Sequence, residues 1–140
     1  MHIAFYHDAR VPPLKYGGTE RLIGWLAKGL IQLGHSVTLL TQPGSYVAGA
    51  QMISLQPQNW ETQIPSSADI LHLWNTPRSR LSKPFIVTIG GNGQIGETYH
   101  ANTVFVSRKH AQNHGCDSYV HNGIDPDDRS EERRVGKECL

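Results

Sequence analysis

The chain has 140 residues, with 13 Lys and Arg against 12 Asp and Glu and a formal net charge of +1. A balance this even, without clustered cations, excludes the electrostatic footprint that nucleic acid or an anionic lipid surface requires. With 38% hydrophobic residues, 14 Gly and 8 Pro, the chain is neither disordered nor collagenous and is long enough for one domain with a core.

Cys116 and Cys139 are the two cysteines, too few for a disulfide framework and without metal-ligand spacing, so a reducing cytoplasmic compartment is expected. The N-terminal stretch lacks the basic start and apolar core of a secretory signal, and no apolar run of about 18 residues is present, so no transmembrane segment is expected.

The first element is a short apolar run, His2 to Tyr6, broken by His7-Asp8 and a loop with Pro12 and Pro13, which reads as a buried strand. After Tyr16-Gly17-Gly18-Thr19, apolar residues at 22, 23, 26, 30 and 33 recur at helical spacing up to Gly34, predicting an amphipathic helix with Thr19 as its N-cap and a C-terminal glycine. Val37 to Leu40 reads as a second strand, completing a strand-helix-strand unit. Further strands are expected at Met52 to Leu55, Asp69 to Trp74, Pro84 to Ile89, Thr103 to Ser107 and Ser118 to Val120. A helical turn is expected over Trp60 to Ile64, and a helix over Arg108 to His114 that Gly115 ends. This alternation predicts an α/β, Rossmann-like, doubly wound parallel sheet with helices on both faces. The expected domain covers residues 1–126. Residues 127–140 are read as a charged terminal tail or a foreign run, because the composition changes abruptly to RSEERRVGKECL.

Ligands of open parallel sheets bind outside the carboxyl ends of the strands, and the glycine clusters fall at those ends. Gly17, Gly18 and Thr19 open a helix, so their backbone N–H groups can face a phosphate; a plain turn is the alternative. Gly90, Gly91 and Asn92 follow a strand and let backbone approach a ligand closely, with Asn92 able to donate and accept hydrogen bonds; a flexible turn is again the alternative. No G-x-G-x-x-G follows the first strand, no acid follows the second, and no Walker A ending occurs, which argues against NAD binding and ATP hydrolysis. His110 and His114 lie four apart on one helix but have no third clustered ligand, so they read as surface histidines and no metal is expected. His72, on an apolar strand, reads as a hydrogen-bonded interior residue, whereas His7-Asp8 stands out by its position after the first strand.

The runs YGGTER at 16–21 and GHSVTLL at 34–40, with Asp69-Ile70-Leu71-His72, Val104-Phe105-Val106-Ser107 and His121-Asn122-Gly123-Ile124-Asp125, resemble the N-terminal domain of GT-B glycosyltransferases of family 4. The resemblance implies two Rossmann-like domains facing each other across a cleft. The N-terminal one holds a glycan or lipid-linked acceptor, and a C-terminal one, missing from this chain, holds the nucleotide-sugar donor. It further implies sugar transfer from a nucleotide-sugar co-substrate with retention and without a metal cofactor. Gly17 and Gly18 would contribute to diphosphate contact and Gly90, Gly91 and Asn92 would lie near the acceptor. Many relatives carry His-Gly where this chain has Gly90-Gly91. Activity then requires the donor-binding half, in the cytoplasm or peripherally at the inner membrane face. Two other readings keep the same fold class: a stand-alone flavodoxin-like module whose glycine loops bind a phosphate ligand or a protein partner, and half of a nucleotide-sugar epimerase.

Overall fold

The computed structural model describes residues 1–14, 17–90, 99–123 and 125–126. Six strands form one sheet: β1 (His2–Tyr6), β2 (Ser36–Thr41), β3 (Gln51–Ser54), β4 (Ile70–Leu73), β5 (Phe85–Ile89) and β6 (Thr103–Phe105). The order is β3-β2-β1-β4-β5-β6, and every pairing is parallel. Two helices, α1 (Gly18–Gln32) and α2 (Arg108–Asn113), and a 3-10 turn at Trp60–Gln63 complete the described elements.

Strand periodicity sorts the side chains into two cores. On one face Ile3, Phe5, Val37 and Leu39 pack beneath Ile23 and Ala27 of α1. On the other, Ala4, Leu40, Leu71, Leu73 and Val87 pack against Leu55, Ala68 and the Trp60 side of the 3-10 turn. Helical elements cover both faces, because Phe105, on the second face, stacks with the ring of His114 and meets that of His110 edge-on near α2. Burial on both faces explains why the strands read as continuous apolar runs instead of alternating ones.

The helix ends follow local chemistry. Gly34 adopts φ +95°, and the Gly34 and His35 N–H groups donate to Ile31 and Leu30 carbonyls, a Schellman closure that favours glycine at that position. Gly115, at φ +70°, closes α2 in the same way through Gln112 and Ala111. At its N-terminus α1 departs from expectation: the cap is Gly17, with no side-chain hydrogen bond, and Thr19 lies one residue inside the first turn. For α2, Ser107 is the cap, and its hydroxyl accepts from the His110 N–H at 3.1 Å. The strand expected at Ser118 to Val120 reduces to one parallel bridge between Tyr119 and Phe105. The charged run from residue 127 lies outside the described residues.

Phe5 is fully buried on the central strand, its ring edge against His72 and Trp74. Phe5→Ala is expected to cost about 3–5 kcal/mol of unfolding free energy, read from urea denaturation followed by circular dichroism.

Candidate functional site

Strand order reverses between β1 and β4, and in such sheets the crevice outside the carboxyl ends at the reversal receives ligands. His7 leaves β1 at that point. Its backbone N–H donates to the Leu40 carbonyl at 3.1 Å, and its ring meets Trp74, the first residue after β4, edge-on at 6.2 Å. Nε2 of His7 lies 3.6 Å from Oε1 of Glu20 in the first turn of α1. Its Nδ1 is buried and has no hydrogen-bond partner among the described residues.

The loop after His7 is braced against the loop after β2. The Gln42 N–H donates to the Ala9 carbonyl at 3.1 Å, its side-chain amide donates to Asp8 Oδ1 at 3.2 Å, and the Val11 N–H donates to Ser45 Oγ at 2.9 Å. Val11 is fully buried, so this loop is packed as well as hydrogen-bonded. The brace brings Pro13 against Gly17 so closely that a Cβ on Gly17 would lie 2.8 Å from Pro13 Cβ. Gly17 is therefore sterically required. Gly18 has open space where its Cβ would be. Because the cap residue is glycine, it offers no side-chain acceptor, and among the described residues no side chain is seen to cap the first-turn N–H groups, which lie at the positive end of the helix dipole where an anion is favoured.

Beside this N-terminus lies a cavity of about 580 Å³, with Thr19, Trp25, Trp74, Thr88, Gly90 and Val104 among its walls. It brings Thr19 and Gly90 together, two positions singled out from the sequence, whereas Gly17 and Gly18 are not among its walls. Gly91 and Asn92 lie outside the described residues. His72 is buried in the cavity floor, where its Nε2 pairs with Thr88 Oγ1 at 2.8 Å and its ring stacks on Trp74 at 4.1 Å with 4° between planes. Burial pushes its pKa down to about 4, so the imidazole is neutral at pH 7.

Asn122, Gly123 and Asp125 of the asparagine-glycine turn also reach the cavity, and Asp125 Oδ2 accepts from Lys28 Nζ of α1 at 2.6 Å. That pair spans 97 positions and has no signature in the sequence. Nor did Trp25 and Trp74 stand out as site residues, although Leu22, Trp25 and Leu26 share helical spacing on one flank of α1. The expectation of surface histidines at 110 and 114 is corrected at His110, which is buried with its ring edge against Phe105 at 4.8 Å. Its place in the small core under α2 follows from the apolar neighbours Phe105 and Ala111. Among the described residues no three His, Cys, Asp or Glu side chains converge as a metal site would require.

No family model and no curated protein matches the chain. Among solved structures, it is similar to AviGT4, a glycosyltransferase involved in avilamycin A biosynthesis, at 25% sequence identity and a TM-score of 0.71. The match covers 90% of this chain and 43% of the glycosyltransferase chain, so this sequence spans less than half of its neighbour. The fold is α/β and Rossmann-like, that of part of a glycosyltransferase. No described helix is long and apolar enough to cross a membrane.

Gly17→Ala is expected to destabilise the protein by about 1–3 kcal/mol, because the proline ring it meets cannot swing away. Gly18→Ala should be neutral or stabilising by up to about 1 kcal/mol; urea midpoints of the two variants test the contrast. His72 makes a second prediction. An imidazole depressed from 6.5 to about 4 binds fewer protons in the fold than in the unfolded chain. Stability is therefore full above about pH 6.5, falls by at most about 3 kcal/mol as pH drops toward 4, and loses no more from this group below that. Urea midpoints across this range should show a shallower acid decline for His72→Gln than for the unmodified chain.

Proposed function

We propose that this chain is the acceptor-side half of a retaining glycosyltransferase that uses a nucleotide-sugar donor, working in the cytoplasm together with a donor-binding half. The observation that carries this reading is the uncapped N-terminus of α1, set by Gly17 at the strand-order reversal of a sheet similar to that of a glycosyltransferase. Sugar transfer breaks the bond between the anomeric carbon and the diphosphate, and negative charge accumulates on the leaving group. Backbone N–H groups at Gly18 and Thr19, already oriented and without a side-chain cap, stabilise that charge without reorganising. A metal is not needed for this share of the work.

The other residues take roles by position. Gly90, at the end of β5 with open space around its α-carbon, leaves room for an acceptor beside the cavity. Gly91 and Asn92 continue from it in sequence and are assigned to the same acceptor side. His7 stands at the crevice with its Nε2 beside the Glu20 carboxylate, which ties the end of β1 to the start of α1. The remaining contacts to the donor are assigned to the second half.

In an NMR titration of the isotopically labelled chain, inorganic pyrophosphate should shift the amides of residues 18–20 with millimolar affinity, and Gly17→Ala should weaken that response. The chain should transfer no sugar from UDP- or GDP-sugars to any acceptor. Transfer by the chain alone, or pyrophosphate shifts confined to another surface, would refute the half-site assignment.

A further inference from the structure

An open sheet has two outer strands, and each presents a row of unpaired N–H and C=O groups on which another chain can add a strand. At the β6 end of this sheet the row is met by backbone. The Phe105 N–H donates to the Ser118 carbonyl at 3.0 Å, and the Val120 N–H donates to the Phe105 carbonyl at 2.8 Å. Phe105 thus stands opposite Tyr119, donating to the residue before it and accepting from the residue after it, which is the repeating unit of a parallel ladder.

Among the described residues β3 is the strand at the other end. Its register on β2 decides which of its groups face outward. Thr41 stands opposite Ser54, and the Leu55 N–H donates to the Thr41 carbonyl at 2.9 Å. The backbone groups of Ile53 and Leu55 are therefore turned toward β2, and those of Met52, Ser54 and Gln56 are turned away from it. The Gln56 carbonyl accepts from the Asn59 N–H at 2.9 Å, within the turn that leads to the 3-10 segment. Two further outward groups go to one side chain. Nε2 of Gln63 donates to the Ser54 carbonyl, and its Oε1 accepts from the Gln56 N–H, each at 2.8 Å. The carboxamide stands opposite Leu55 as Phe105 stands opposite Tyr119, donating to the residue before and accepting from the residue after. It takes the place of one residue of a further parallel strand.

The strand itself carries no other protection. Residues 51–55 read Gln-Met-Ile-Ser-Leu, without the charge or proline by which edge strands ordinarily refuse a partner. Met52 and Ile53 are partly buried against the two cores, one on each face, so a strand laid beside them finds apolar neighbours on both sides. A net charge of +1 gives two copies little mutual repulsion. The segment that bears Gln63 is fixed independently of these bonds. Trp60 packs on the ring of Tyr6 at 4.2 Å, Ile64 packs against the same core, and Thr62 Oγ1 donates to the Asn59 carbonyl at 2.7 Å. The amide is thereby held at the edge with little further loss of freedom.

We infer that Gln63 is an edge plug, which keeps a second copy of this chain from adding to the sheet at β3. With the amide gone, the outward groups from Met52 to the Gln56 N–H form an open row, and β3 of one copy can lie antiparallel to β3 of another about a two-fold axis. The inference is independent of the glycosyltransferase reading, since it uses neither the crevice nor a ligand.

The test compares the full chain with two variants. Gln63→Ala removes the amide, and Gln63→Met removes it while keeping the length of the side chain; urea midpoints show which of them is folded. Amide hydrogen exchange followed by NMR reads the edge directly. In the dilute unmodified chain the Gln56 amide is expected to be protected about tenfold or more over an unstructured peptide, whereas the Ser54 amide, which the plug does not reach, should be unprotected. A folded variant should lose the Gln56 protection on dilution and, by sedimentation equilibrium, self-associate about tenfold or more tightly than the unmodified chain. In the associated form the Ser54 amide should become protected. Adding Ser54→Lys, at an exposed position, should restore the behaviour of the unmodified chain. Three results would overturn the inference: a Gln56 amide unprotected in the unmodified chain, a folded variant that associates no more than that chain, or association that leaves the Ser54 amide unprotected or survives Ser54→Lys, which puts the contact on another surface.

Discussion

The rest of the structure depends on the position of β1 between β2 and β4. Its backbone bonds to both neighbours, its odd residues Ile3 and Phe5 face α1, and Ala4 faces the second core. Because the sheet grows from β1 in two directions with one handedness of crossover, three consequences arrive together. A crevice opens at the carboxyl ends, the helix that covers one half of a face begins there, and among the described residues the other half of that face is left without a crossover.

Short-range constraints shape the crevice that follows from that order. The brace between the loops after β1 and β2 presses Pro13 onto Gly17, and only a residue without Cβ tolerates that approach. A glycine cap in turn offers no side-chain acceptor, which leaves the first-turn N–H groups for an external anion. The same residue thus satisfies packing on one side and leaves the start of α1 without a side-chain acceptor on the other. His7 and Glu20 meet at this junction because the strand end and the helix start are brought together by the loop between them.

The buried histidines show how alike sequence contexts diverge. His72 finds a hydroxyl on the next strand and an indole to stack on, and burial holds it neutral. His110 sits against Phe105 with both ring nitrogens lacking a partner among the described residues. A helical spacing of four between His110 and His114 therefore served core packing under α2. The ring stack of Phe105 with His114 is a hydrophobic contact in a part of the chain too short for an aliphatic core of its own.

Apolar runs bounded by turn residues were enough to mark the strands from β1 to β6 within a residue or two, since strands buried on both faces need no alternation. Gly34 and Gly115 likewise announced their helix ends, because a left-handed residue there is a local requirement that glycine meets. The sequence also determined that glycines cluster at strand ends, which placed Gly17 and Gly18 by a helix start and Gly90 by a cavity. It did not determine the cap of α1, since Thr19 is the better capping residue by chemistry and yet lies inside the helix that Gly17 caps. Strand order, the cavity, and the pairing of Lys28 with Asp125 were decided by tertiary structure alone. Those contacts join residues far apart in the chain, and local periodicity carries no information about which distant partner a strand or a charge will meet.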